Sequence, residues 1–141
     1  MRPDLLERYA LSFLGLPYRW GGENPVTGFD CSGMIVELLK AAGTITPDFD
    51  LSAQGIWNLG GARGWTMTRG FGALAFYGKS TAQLTHVGFC LDDVYMLEAG
   101  GGDRTTVNRE AAGMQSAFVR IRPINFRKDF QGCMLPVYQP K

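Results

Sequence analysis

The sequence predicts an α+β domain whose N-terminal helices pack on a central antiparallel sheet, and three observations lead there. The first half carries apolar residues at helical spacing. From about residue 73 the period changes to the alternation of strands. No βαβ alternation joins the halves, so the strands are expected to pair antiparallel. With no Pro/Gly/Ser-rich linker, residues 1–141 read as one domain, long enough to bury a core without staples.

The elements follow in chain order. Asp4 can cap a first helix whose apolar face is Leu5, Leu6, Tyr9, Ala10, Phe13 and Leu14, with Gly15 and Pro17 ending it. A loop runs from Pro17 to Asp30, with Asn24-Pro25 and Thr27-Gly28 as turn signals. Behind Cys31, the spacing of Met34, Ile35, Leu38, Leu39 and Ala42 predicts a helix over 32–42, stopped by Gly43. Ser52 then caps a short helix holding Ile56 and Trp57. Residues 60–72 read as an irregular, glycine-punctuated segment around Trp65. Strands are expected at 73–77, at 86–91 and 94–97 as a hairpin about Asp92-Asp93, and at 117–122 before Pro123. A helical turn is expected at Glu110 to Ala112 and a last strand near Met134 to Tyr138.

Composition narrows the function. At 45% hydrophobic and 19% charged, the chain is globular and not a disordered tail. A net charge of +1 with no basic run gives a nucleic-acid partner no electrostatic support. No stretch approaches the roughly 20 apolar residues of a membrane span. The first 16 residues carry Asp4, Glu7 and Arg8 and lack a small-residue cleavage site, which argues against a signal peptide. Cys31, Cys90 and Cys133 are an odd number, match no zinc spacing and suit a reducing compartment, so neither metal nor cofactor is expected.

Cys31 sits where a glycine-rich aromatic loop meets a helix start, and unpaired amides and the helix dipole there favour a thiolate. It is a candidate nucleophile. His86 is the chain's single histidine, hence the only imidazole available as a general base. Glu98 is the natural third group to orient the ring, with Asp103 as an alternative. The hairpin register tests this. A two-residue turn pairs His86 with Ala99 and sends Glu98 to the other face. A three-residue loop centred on Asp92, or an equivalent bulge, pairs His86 with Glu98 and leaves Val87, Phe89, Leu91, Tyr95 and Leu97 on the core face. The Cys31 and Ser32 amides would bind an oxyanion, with Tyr18 able to add a hydroxyl donor. Asp30 suits a loop or cap hydrogen bond. Cys90 and Cys133 read as small apolar fillers.

Three motifs carry a resemblance: Pro17-Tyr18-Arg19-Trp20-Gly21-Gly22, Gly28-Phe29-Asp30-Cys31-Ser32-Gly33 and Thr85-His86-Val87-Gly88. In order and spacing the chain is similar, from about residue 4 to 102, to the NlpC/P60 family of cysteine peptidases. The resemblance implies a papain-like core and hydrolysis of amide bonds in peptidoglycan stem peptides, commonly between D-glutamate and a diamino acid. It implies Cys31 as nucleophile, His86 as base and Tyr18 as the donor near the thiol. Two departures stand out. The family's third residue is usually His, Asn or Gln, where this chain has Glu98. Its Pro-Gly-Asp-Leu-Val segment appears here as Phe71-Gly72-Ala73-Leu74-Ala75, without the acid. The expectation is a phage lysis or tail-associated wall hydrolase, made in the cytoplasm and reaching the wall after release or in a virion with its partners. Alternatives are a thiol-dependent amidase, protease or acyltransferase, and a catalytically idle structural or wall-binding domain.

Overall fold

The computed structural model describes residues 1–138. Four helices precede or interrupt a six-stranded antiparallel sheet, giving the expected α+β architecture. Helix α1 (Pro3–Leu11) buries Leu6 and Ala10, with Phe13 just beyond it. Its N-cap is Arg2, so Asp4 is not the cap; it lies in the first turn, paired with the Arg2 guanidinium. Pro3 explains the shift, because a proline fits the first helical turn and moves the start upstream. The 17–30 loop contains a small hairpin, β1 (Glu23–Asn24) and β2 (Gly28–Phe29). Helix α2 (Cys31–Ala41) buries Met34, Ile35, Leu38 and Leu39.

Helix α3 (Ala53–Arg63) begins at the Ser52 cap but runs past the expected short helix, through Gly60 and Gly61, to a left-handed Gly64. Gly60 is there for contact, since a Cβ would collide with Met134 and come within 2.5 Å of the Trp65 ring. The expected irregular segment is thus helical over its first four residues, 60–63. It continues as β3 (Thr66–Met67).

The remaining strands are β4 (Leu74–Gly78), β5 (Leu84–Cys90), β6 (Tyr95–Gly100), β7 (Phe118–Pro123) and β8 (Phe130–Leu135). Helix α4 (Arg109–Gln115) precedes β7. Their order is β3-β8-β4-β5-β6-β7. The last strand therefore starts earlier than expected and inserts between β3 and β4. One face of the sheet, with Val87, Phe89, Leu97 and Val119, packs with α1–α3 in the main core. The other face carries Tyr77, Cys90, Met96 and Cys133, covered by Ile124 from a 3₁₀ turn (Ile124–Phe126).

The β5–β6 register differs from the expected one by two residues. Phe89 pairs with Leu97 and Cys90 with Met96, so the three-residue loop is centred on Asp93. The Asp92 side chain sets it by accepting the N–H groups of Val94 and Tyr95, while Leu91 N–H closes onto the Tyr95 carbonyl. Continued along the strands, this register sets His86 opposite Gly100 and makes Glu98 its diagonal neighbour. A shift of two preserves the face, so His86 and Glu98 still lie on the same side. Tyr95 departs from the expected core face, being 46% exposed at the end of the hairpin.

Candidate active site

The site begins with two close backbone approaches. Asp30 caps α2, its carboxylate accepting Gly33 N–H at 2.7 Å and Gly21 N–H at 3.1 Å, while its own N–H donates to the Gly22 carbonyl. Any Cβ at Gly33 would strike that carbonyl, so glycine lets the loop lie against the first turn. Burial pushes the Asp30 carboxyl up, against the opposing pull of these hydrogen bonds. Asp30 thus acts as a brace between loop and helix. Cys31, the first residue of α2, is half-exposed, and its amide and that of Ser32 receive no acceptor from the loop. Ser32 Oγ turns back to Asp30 at 3.4 Å.

His86 reaches the thiol from β5. Tyr77 pairs with His86 but Gly78 pairs with Leu84, leaving Thr85 as an extra residue in a bulge. The bulge directs the Thr85 carbonyl at Cys31 Sγ, 3.7 Å away, and re-aims the residue after it. His86 is 5% exposed, and its Nε2 lies 2.6 Å from Glu98 Oε1. Cys31 lies close enough for its charge to act on the ring as well. Burial alone would lower the His86 pKa. The hydrogen bonds and negative charge of Cys31 and Glu98 outweigh it and raise the value to about 9.

Glu98 is 3% exposed, and its Oε2 lies 3.5 Å from Arg122 Nε. Its carboxylate occupies space beside Gly100 that a side chain would fill, a Cβ there coming within 2.9 Å of Oε2. Burial opposes its ionisation, but His86, then Arg122 and Arg127, hold it below the usual carboxylate range. Asp103, the alternative third group, bonds Thr105 instead.

Tyr18 packs against Gly102, where a Cβ would collide with its ring, and its hydroxyl bonds no protein group among the described residues. Burial, reinforced by Cys31, Asp30 and Asp103, raises its pKa and keeps the phenol a donor. Two cavities of about 550 and 400 Å³ share Tyr18, Trp20, Cys31 and Thr85, so a groove passes over the thiol. Arg122 and Arg127 line one arm; Asp30, Ser32 and Ser52 line the other. The sequence singled out Thr85 only as part of the His86 motif, and gave no role to Arg122, Gly100 or Gly102. The signal for Arg122 was a cation recurring with Arg120 in an otherwise apolar strand.

Residues 15–123 match the sequence profile of the NlpC/P60 family. The peptidoglycan endopeptidase RipB of Mycobacterium tuberculosis is 33% identical over 128 residues, covering 81% of this chain and 51% of RipB. The chain spans about half or less of the length of the curated relatives it matches. Among solved structures, an NlpC/P60 family protein from Bacillus cereus superposes with a TM-score of 0.67 at 23% identity, covering 94% of this chain and 39% of that one. RipD of M. tuberculosis, described as a non-catalytic NlpC/p60 domain protein adapted to peptidoglycan binding, gives 0.62 at 20% identity, covering 96% of each. These two likenesses concern the fold alone. The profile spans most of the chain, including the Cys31 helix start and the hairpin bearing His86 and Glu98, and the chain belongs to the NlpC/P60 family.

Proposed function

We propose that the protein is a cysteine peptidase that hydrolyses amide bonds in the stem peptides of bacterial peptidoglycan, acting at the cell wall. One observation carries the reading: His86 is held between Cys31 and Glu98 at the mouth of a helix, inside a groove open on both sides of the thiol. Relatives named peptidoglycan endopeptidases supply the substrate class. In the proposed reaction Cys31 Sγ attacks the amide carbonyl, and the oxyanion takes the amides at the α2 start and the Tyr18 hydroxyl. His86 gives the thiol-derived proton to the leaving amine, and a thioester forms. Water, losing a proton to His86, then attacks the thioester, releasing the acid and restoring the thiol. No step calls on a metal or cofactor.

The bond proposed is that between D-glutamate and a diamino acid. Digestion of purified peptidoglycan, followed by mass analysis of the fragments, tests activity and bond together. The wild type is expected to release new stem-peptide ends, and Cys31→Ala none. Fragments from neither protein would defeat the hydrolase reading. They would favour the wall-binding alternative, which RipD's description brings forward, if the protein still pelleted with the wall.

A further inference from the structure

We propose that Arg122 is a positioning residue: its guanidinium anchors the second oxygen of the Glu98 carboxylate, so that the first stays directed at His86. The inference deepens the proposed hydrolase reading.

A buried carboxylate needs partners for both oxygens, and one held at a single oxygen can pivot. In Glu98, Oε1 is taken by His86 at 2.6 Å, and the cation at Oε2 is Arg122, 3.5 Å away. The sheet puts it there. Glu98 pairs with Arg120 and Met96 with Arg122, so Arg122 is the diagonal neighbour of Glu98 on the adjacent strand, within reach of a long side chain. Its guanidinium rests 4.1 Å from the Phe126 ring centroid, which fixes its approach.

The neighbouring cations are otherwise engaged. Arg120 donates to the carbonyls of Ser116, Gly100 and Phe118. Arg127 holds Asp129 with two hydrogen bonds and lies over Tyr77. The charged and titratable groups around the pair are thus Cys31 from α2, Tyr77 from β4, Arg120 and Arg122 from β7, and Arg127 and Asp129 before β8. Without Arg122, Glu98 would take a proton at higher pH and release His86 from its orientation.

The test is the rate of Cys31 alkylation by iodoacetamide against pH, in wild type, Arg122→Gln, Glu98→Gln and the double variant, each checked for folding by circular dichroism. Arg122→Gln should move the acid limb upward by about one pH unit, slowing alkylation roughly tenfold on that limb. In the Glu98→Gln background the same substitution should have no further effect. An unmoved acid limb, or an equal effect without Glu98, would overturn the proposal. Alkylation needs no wall substrate. A failed peptidoglycan digestion and a failed Arg122 test are therefore separate results.

Discussion

Glu98 brings a full negative charge to a place where a neutral amide could only accept a hydrogen bond. In the proposed mechanism that charge keeps His86 protonated as the leaving amine's acid, and the imidazole holds its proton up to about pH 9. Activity should therefore fall as the pH rises through about 9, where the imidazolium is lost. Glu98→Gln can keep the ring oriented but not the charge. Its alkaline limb of kcat/KM should sit lower by about one unit or more, equivalent to about 1.4 kcal/mol per unit. An unchanged limb would show that Glu98 does not govern His86. The same linkage acts on folding. A raised histidine pKa stabilises fully below about 6.5, and that contribution fades as pH rises through about 9. Cys31 and His86 were legible because one opens a helix and the other is the only imidazole. Arg122 was not, because its partner is defined only by the register of two strands.

At the scale of the element, glycines decide what sequence patterns cannot. Gly60 and Gly61 sit side by side in α3 and carry opposite meanings. Gly60 is the close approach between helix, Trp65 and Met134, whereas a Cβ on Gly61 meets nothing within 4 Å. Gly60→Ala should lower the unfolding free energy by about 1–3 kcal/mol through overpacking. Gly61→Ala should raise it by up to about 1 kcal/mol through helix propensity. Urea unfolding of both variants checks the pair, and a destabilised Gly61→Ala would contradict the account. The adjacent glycines hid this helix, since they read locally as breaks and only tertiary contact explains the first. The β5–β6 hairpin shows the reverse. Its alternation gave the right face for His86 and Glu98, but the side-chain bonds of Asp92 placed the turn centre one residue later.

For the whole molecule, the antiparallel sheet and its helical cover could be read from the change of period near residue 73, since the three longest helices lie before it and the five long strands after it. The strand order could not. Strand β8 pairs with β3 and β4 from the far end of the described chain, and nothing local in Phe130–Leu135 names its neighbours. That placement also sets the fate of the three thiols. Cys90 and Cys133 are buried together beneath the sheet, 3.9 Å apart, while Cys31 alone opens to the groove. The neighbours of Cys31 Sγ are His86 and the Thr85 carbonyl, so no second thiol of the chain stands ready to resolve a sulfenic acid formed there. In the proposed reaction peroxide should therefore inactivate the protein without forming a disulfide at Cys31. Added thiol should restore activity early, and not once mass spectrometry finds the sulfinic acid. Among the described residues one thiol opens to the groove, and its repair after oxidation would fall to thiols from outside the chain.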